Sequence, residues 1–170
     1  MDPVNAVEGT VPPSGYRNEE EQMAPIVSRI EVARPPGEVF AYVTDPSRFG
    51  EWQWGIVSGR MEEDRPPAVG SRFTTTTRIG GTEQTATLEI TEINPPTSWA
   101  VRGVDGPVRV IVSVTVEPLD DGAWSRVTLA LDFEGHGPGK VLVPLVVRPQ
   151  AAKEAPKSCQ GLKERLESGG

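Results

Sequence analysis

The sequence has only one cysteine and one histidine among its 170 residues. The single cysteine, Cys159, excludes an internal disulfide and a cysteine-based zinc cluster. The single histidine, His136, must take part in any Ser/His/Asp or Cys/His arrangement that the protein could use for nucleophilic catalysis. The acidic runs at residues 62–64 and 120–121 are typical of solvated turns rather than of metal sites. We therefore expect no bound metal and no other cofactor.

Long apolar runs are also lacking, because none approaches the roughly 18 residues that a membrane-spanning helix needs. The first 23 residues lack the basic start and apolar centre of a secretory signal, and they carry the acidic run Glu19–Glu21. The net charge of −7 and the isoelectric point near 4.8 disfavour non-specific attraction to nucleic acid. These features predict a cytoplasmic protein without nucleic-acid partners and without membrane insertion.

The chain is long enough for one domain with a substantial core and a tail. Residues 1–24 are rich in proline, glycine and acidic side chains and have few bulky apolar ones. Such a segment buries too little surface to offset its ordering entropy, so we expect a disordered or loosely attached acidic arm. A plain tail, or a start that truly falls at Met23, is favoured over a regulatory role. Residues 25–168 are predicted to form a single domain.

The domain begins with a strand followed by two short helices. Apolar and polar residues alternate from Ile26 to Ala33, which indicates a half-buried strand. The helical spacing of apolar residues after Pro36 predicts a first helix. Asp45 is placed to cap a second helix that ends near Trp52.

The rest of the domain is predicted to be strands and then one long helix. Alternation indicates strands over residues 72–79, 84–91, 99–101, 108–117 and 126–133. No helical pattern interrupts them, so the sheet should be antiparallel. The last segment, Gly139–Ser168, has apolar residues near helical spacing and three prolines, which predicts a bent helix. This order favours an α+β fold in which a curved antiparallel sheet of about seven strands wraps around the C-terminal helix and leaves an internal apolar cavity.

Four stretches resemble the START-like (SRPBCC) helix-grip superfamily over residues 26–168. They are IEVARPPGEVFAYVTDPSRFGEW, VGSRFTTTT, ITEINPPTSWAVRG and, in the closing helix, LVVRPQAAKEAPKSCQGLKERLES, which resembles bacterial polyketide cyclase/dehydratase-like members. The resemblance implies the fold more than the chemistry, because the superfamily includes carriers, cyclases, dehydratases and receptors. Where many members continue from the Trp with Asn-Pro, this chain has Gln53-Trp54-Gly55, so the cavity mouth should be shaped differently.

The inward strand faces contain no acid, base or strong nucleophile. Their polar members Thr75, Thr77 and Gln84 can hydrogen-bond a carbonyl or hydroxyl but cannot transfer a proton near pH 7. The catalytic residues are therefore unknown, and the candidates are Thr75, Thr77, Gln84 and His136, of which His136 is more often a solvated loop residue. The predicted substrate-binding residues are Trp52, Trp54, Phe73, Thr75, Thr77, Arg78, Gln84, Leu88, Trp99, Arg102, Val112, Leu131, Phe133, Leu142, Leu145 and Val146.

The tryptophan and the two arginines in this set are chosen for specific reasons. Trp54 has little structural reason to be where it is, so it is the first candidate for ligand contact at the cavity mouth. Arg78 and Arg102 lie near strand ends and would face a ligand oxygen only if the register slipped by one residue.

The sequence favours a polyketide cyclase/dehydratase-like enzyme that works without a cofactor. It would bind a hydrophobic biosynthetic intermediate and promote ring closure, a cycloaddition or a dehydration mainly by holding a reactive conformer and excluding water. The alternative is a non-catalytic carrier or sensor of an apolar small molecule, and a protein-interaction module with a filled cavity is the third interpretation. A monomer and a homodimer are both compatible with the sequence.

Overall fold

The computed structural model describes residues 24–79 and 81–169. The predicted acidic arm, apart from Ala24, lies outside these residues. The described elements, in chain order, are β1 (Ile26–Val32), α1 (Pro36–Val43), a 3₁₀ turn (Pro46–Arg48), α2 (Phe49–Trp52), β2 (Ile56–Met61), β3 (Arg72–Ile79), β4 (Thr82–Asn94), β5 (Ser98–Gly103), β6 (Val108–Leu119), a 3₁₀ turn (Asp120–Gly122), β7 (Trp124–Gly135), α3 (Gly139–Leu142), a π-helical turn (Val143–Val147) and α4 (Arg148–Ser168).

The seven strands form one antiparallel sheet in the order β1-β7-β6-β5-β4-β3-β2. Strands that follow one another from β2 to β7 are neighbours in the sheet, so they form a meander. Strand β1 pairs with β7 and forms the edge opposite β2. The sheet curls around α4, which packs against β1 and α2. The predicted α+β helix-grip fold is confirmed.

The two short helices form as the sequence predicts. Proline at the first position of α1 starts the helix, and Val39, Phe40 and Val43 bury its apolar side. The carboxylate of Asp45 accepts hydrogen bonds from the backbone N–H and the hydroxyl of Ser47, at 3.0 Å and 2.7 Å. This cap orients the 3₁₀ turn and α2, so that Trp52 reaches the core.

One strand, β2, is missing from the alternation-based prediction. Its register shifts between Ile56 and Ser58 as it pairs with β3, and this bulge breaks the period of two. Gly59 in its centre lies against the backbone of Pro46, where a Cβ would be 2.5 Å from the carbonyl oxygen. A glycine is therefore required at this close approach, and it removes the apolar residue that alternation would need.

The two halves of the C-terminal helix lie in different surroundings. Leu162 and Leu166, in its last third, are buried in the main core. Pro144 lies in the π-helical turn, Pro149 in the first turn of α4 and Pro156 inside α4, and each of them removes one helical hydrogen bond. The first half of the helix lies over the concave face of the sheet, and a hollow remains there.

Candidate functional site: an apolar cavity under the C-terminal helix

A cavity of about 560 Å³ lies between the concave face of the sheet and the first half of α4. This volume falls in the range of roughly 300–1,000 Å³ that is typical of small-molecule pockets. Its walls are mostly apolar. The sheet supplies Phe73, Ala86, Leu88, Trp99, Val101, Val110, Val112, Val114, Leu129, Leu131 and Phe133, and the C-terminal helical segment supplies Leu142, Val146, Val147, Ala151 and Ala155.

A cluster of aromatic rings closes the inner end of the cavity. The ring of Phe49 packs edge-on against Trp52, Phe73 and Trp99, with centroids 5.9–6.2 Å apart. Phe73 and Trp99 stack at 6.1 Å with an angle of 24° between their planes. All four side chains are less than a tenth exposed, so this end is a rigid wall suited to a flat apolar group.

The mouth is marked by apolar lining residues that remain exposed to water. Trp54 is 57% exposed, Val146 57% and Leu142 42%. The backbone N–H of Trp54 donates to Ser158 Oγ at 2.9 Å, and Lys157 Nζ lies 4.9 Å from the centroid of its ring. Helix α4 therefore holds the exposed indole in place at the entrance.

The polar wall of the cavity is built from β3 and β4. Thr75 is 7% exposed and Thr77 is half-buried, and both side chains border the cavity together with Gln84. Thr74 and Thr76, which alternate with them along β3, do not line it. The threonine hydroxyls and the amide can donate hydrogen bonds to a ligand oxygen, but none of them is a general acid or base near neutral pH.

Two carboxylates also border the cavity, which corrects the expectation that no acid faces it. Asp105 comes from the loop between β5 and β6, and its Oδ1 accepts from the backbone N–H of Thr87 at 3.2 Å. Glu154 comes from α4, and its Oε2 accepts from Gln150 Nε2 at 2.6 Å. The strand-face pattern misses both residues because neither is on a strand. The spacing of Ala151, Glu154 and Ala155 on one helix face was the signal that could have found Glu154.

Two buried donors stand beside the cavity without a partner. Within residues 24–79 and 81–169, no acceptor lies within hydrogen-bonding distance of the indole Nε1 of Trp52 or of Trp99. A buried donor that is left unpaired costs about 1–3 kcal/mol. Both tryptophans line the cavity, but their Nε1 atoms have almost no accessible surface and so are shielded from it.

Thirteen of the sixteen predicted substrate-binding residues line the cavity. They are Trp52, Trp54, Phe73, Thr75, Thr77, Gln84, Leu88, Trp99, Val112, Leu131, Phe133, Leu142 and Val146. The other three, Arg78, Arg102 and Leu145, lie elsewhere.

The register explains where the two arginines lie. The pairing that turns Thr75 and Thr77 inward turns Arg78 outward, where its Nη2 lies 2.6 Å from Glu83 Oε2. In the same way Arg102 faces outward and lies 3.5 Å from Glu134 Oε1. Leu145 is on the outer side of the π-helical turn and is 70% exposed. These three residues therefore contribute no wall to the cavity.

His136, the fourth candidate for catalysis, also lies outside the cavity lining. Its Nε2 is 3.4 Å from Glu134 Oε1, and its backbone N–H donates to the carbonyl of Pro107 at 2.8 Å. Gly139, three residues after His136, packs so closely on Pro107 that a Cβ would overlap the carbonyl oxygen. The glycine-rich loop is thus a tight corner that joins β7 to α3, and the histidine belongs to that corner.

The buried thiol of Cys159 is close to the cavity but does not line it. Burial raises the pKa of Cys159, and a hydrogen bond with Ser28 only partly opposes this effect. A thiol with a raised pKa is a poor nucleophile at neutral pH. Cys159 is therefore a packing residue.

Two further findings concern the described residues as a whole. None of their helices combines the length and apolar character that crossing a bilayer requires. Nor do residues 24–79 and 81–169 bring three or more His, Cys, Asp or Glu side chains together as metal ligands.

Residues 23–167 match the family described as "Polyketide cyclase / dehydrase and lipid transport". The protein belongs to this family, since the match spans nearly the whole chain. An uncharacterized protein of Mycobacterium tuberculosis is 38% identical over 71 residues, which are 41% of this chain and 32% of the mycobacterial protein. The matched stretch thus spans about a third of that relative.

Several solved structures share the fold. The di-domain aromatase/cyclase BexL from the BE-7585A biosynthetic pathway superposes with a TM-score of 0.67 at 18% identity, over 85% of this chain and 47% of BexL. The ZhuI aromatase/cyclase of a Streptomyces species gives 0.69 at 13% identity, over 86% and 97%. A START superfamily protein of Mycobacterium smegmatis gives 0.63 at 16% identity, over 85% and 95%. These likenesses confirm the predicted fold, and the family match confirms the predicted resemblance to polyketide cyclase/dehydratase-like proteins.

Proposed function

We propose that the protein is a cyclase or dehydratase that acts on a hydrophobic, polyketide-like intermediate held in the cavity. The observation that carries this proposal is the composition of the walls: an apolar chamber of about 560 Å³ with one polar strip formed by Thr75, Thr77 and Gln84. Apolar walls bind the carbon skeleton, and the polar strip hydrogen-bonds one of its oxygens. Family membership supports the same general kind of activity.

The geometry favours catalysis by conformational control. A flexible intermediate that is pressed between the aromatic end and α4 loses the extended conformations that it has in water, so that reacting atoms come together. Hydrogen bonds from Thr75, Thr77 or Gln84 to a carbonyl stabilise the negative charge that develops on its oxygen during ring closure. Closure under the helix also limits competing reactions with water.

Asp105 and Glu154 add proton-transfer chemistry that the strand faces lack. Either carboxylate can accept a proton from an acidic C–H or O–H of the ligand and return one to a departing hydroxyl, which then leaves as water. Asp105 borders the cavity from the loop between β5 and β6, and Glu154 borders it from α4. A dehydration would place the departing hydroxyl toward these two residues and the carbonyl toward the polar strip.

A carrier of an apolar small molecule is the second candidate function. It is favoured by the same apolar walls and by the description of the family, which includes lipid transport. A carrier needs the cavity but does not need the carboxylates at its rim. The two functions therefore separate at Asp105 and Glu154.

The test is a conversion assay with apolar extracts of the native producer, followed by chromatography and mass spectrometry. Wild-type protein should convert a bound component to an isomer or to a product that has lost one water, and an Asp105→Asn/Glu154→Gln variant should bind that component but convert it at least 10-fold more slowly. A Glu63→Gln/Glu83→Gln variant, changed at two exposed carboxylates outside the lining, is the matched control. Binding without conversion by the wild type would favour the carrier, and no binding at all would contradict both functions.

A further inference from the structure

Glu154 lies on the face of α4 that covers the cavity. Ala151, Glu154, Ala155 and Ser158 all line the hollow, at the spacing of one helix face. Ser158 Oγ accepts from the backbone N–H of Trp54 at 2.9 Å, which fixes this face beside the entrance. The two alanines have side chains too short to cover their neighbour, so the half-buried carboxylate of Glu154 is open to a molecule in the cavity.

The hydrogen bonds that hold the two carboxylates of the lining come from uncharged groups. Gln150 Nε2 donates to Glu154 Oε2 at 2.6 Å, and the backbone N–H of Thr87 donates to Asp105 Oδ1 at 3.2 Å. In residues 24–79 and 81–169, neither carboxylate forms an ion pair with a basic side chain. A ligand with a positive charge would supply the counter-charge that these hydrogen bonds do not.

The two lysines that flank Glu154 in the chain lie outside the cavity lining. Lys153 and Lys157 have exposed side chains, and Lys157 Nζ is 4.9 Å from the centroid of the Trp54 ring. The charged side chains that the described lining does contain are Asp105 and Glu154. Because the surrounding walls are apolar and exclude water, this negative charge acts more strongly on a ligand than it would on an open surface.

Glu154 should contribute more of this effect than Asp105. Glu154 is half-buried beneath α4, whereas Asp105 is exposed on the loop between β5 and β6. Water and dissolved salt screen an exposed charge more than a partly buried one. The charge preference of the cavity is therefore expected to depend chiefly on Glu154.

Thr75 provides separate evidence that a polar ligand atom enters the cavity. The residue is 7% exposed and lines the hollow, and its hydroxyl takes part in none of the side-chain hydrogen bonds within the described part of the chain. Buried hydroxyls are normally paired, so this one is available to a ligand. A ligand that meets both Thr75 and Glu154 combines a hydrogen-bonding atom with a positive charge.

We propose that the cavity selects an apolar molecule that carries a basic nitrogen, and that Glu154 pairs with its ammonium group. Apolar molecules with a free carboxylate are disfavoured, because their charge has the same sign as that of Glu154 and Asp105. This inference rests on the proposed function, since it names the charge class of the molecule that the same cavity takes. Glu154 then orients the substrate, and Asp105 is the carboxylate left for proton transfer.

The test is displacement of a bound apolar dye by decylamine, 1-decanol and decanoate at neutral pH. These three probes share one alkyl chain and differ in the charge of the head group. The wild type should bind decylamine at least 5-fold more tightly than 1-decanol, and decanoate at least 5-fold more weakly. Glu154→Gln should weaken decylamine binding at least 5-fold and change 1-decanol binding less than twofold.

The matched control is Glu164→Gln, on the same helix. Glu164 also accepts from a glutamine four residues earlier, Gln160, but it is exposed and outside the lining. This variant loses the same charge from the chain, so it separates a local effect of Glu154 from the net charge of −7. We expect it to change the affinity for each of the three probes less than twofold.

The possible failures are distinguishable. Equal affinity of the wild type for decylamine and 1-decanol would overturn the inference and leave the cavity as a ligand site. A preference for decylamine that persists in Glu154→Gln, or that Glu164→Gln reduces equally, would also overturn it. Failure of all three probes to displace the dye would contradict the proposed function as well. The ranking of the probes by the wild type needs no variant, so the test does not depend on how well Glu154→Gln folds.

Discussion

Thr77 and Gln84 lie directly opposite each other on β3 and β4, and both side chains border the cavity. Residues in this relation have Cβ atoms about 4.5–5.5 Å apart, so a hydroxyl and an amide can reach the same ligand oxygen. The strand register fixes the relative position of these two residues, whereas a flexible loop would not. The sheet thus places two hydrogen-bonding groups side by side in an otherwise apolar wall.

Removal of this polar strip should weaken recognition of the ligand's oxygen. We expect Thr75→Val/Thr77→Val/Gln84→Leu to reduce conversion of the native ligand by at least 10-fold, since each lost hydrogen bond is worth about 0.5–1.5 kcal/mol. Thr74→Val/Thr76→Val, which changes the same residue type on the opposite face of β3, should have less than a twofold effect. Conversion by the triple variant at the wild-type rate would refute the role of the polar strip.

Filling the cavity should block binding without damage to the fold. Val112 lines the hollow, so Val112→Phe should lower the affinity for an apolar dye by at least 10-fold while stability changes by less than about 1 kcal/mol. Val127 is fully buried outside the cavity lining, and Val127→Phe should cost about 1–3 kcal/mol through overpacking. Dye titration and urea unfolding measure the two effects. Equal destabilisation by both substitutions would mean that no usable space lies beside Val112.

The tight corner before α3 should tolerate no side chain at Gly139. A Cβ there would overlap the carbonyl of Pro107, so we expect Gly139→Ala to destabilise the protein by about 2–4 kcal/mol. Gly37 in α1 has open space around its Cα. Gly37→Ala should therefore be neutral or stabilise the helix by up to about 1 kcal/mol. A loss of less than about 0.5 kcal/mol at Gly139, measured by urea unfolding, would contradict the corner described for the His136 loop.

Acid stability should depend on Glu167, which joins the end of α4 to the end of β1. Its carboxylate accepts from Lys163 Nζ at 2.8 Å and from the backbone N–H of Ala33 at 2.9 Å, and these two hydrogen bonds lower its pKa. A lowered pKa means that the stabilisation is complete above the ordinary glutamate pKa and is lost as the pH falls through the folded-state value. Glu167→Gln should cost about 1 kcal/mol at pH 7 and much less at low pH.

The comparison that isolates this effect is with Glu164→Gln, one turn earlier on α4, where the side chain is exposed and accepts only from Gln160 at 3.2 Å. Urea unfolding of both variants between pH 7 and pH 3 should show a pH-dependent difference from wild type at Glu167 alone. A difference at Glu167 that stays constant over this range would show that ionisation of the carboxyl group contributes nothing.

Most of the architecture follows from local patterns in the sequence. Alternation on β3, β6 and β7 and the turn residues between strands are short-range signals, and the structure reproduces them. The strand β2 could not be found this way, since its glycine is required by the approach of Pro46, which is a long-range contact. A pattern that depends on tertiary packing has no local period to detect.

The candidate site was predictable where it is built from strands and was missed where it is not. Thr75, Thr77 and Gln84 are placed by alternation alone, because strand side chains must point to one face or the other. Asp105 lies on a loop, and Glu154 faces the cavity only because of how α4 rotates over the sheet, which depends on the packing of Leu162 and its neighbours. The two carboxylates on which the proposed enzymatic function depends are thus the part of the site that required the structure.

The most direct test of the account is native mass spectrometry of the protein purified from its own producer, before and after incubation. We predict one apolar molecule bound per chain in the first spectrum, and in the second a product of the same mass with altered chromatographic behaviour or a product that lacks one water. The Val112→Phe variant should carry neither. A chain that leaves its producer with no bound molecule and takes up no apolar dye would contradict the central claim that the cavity is a ligand site.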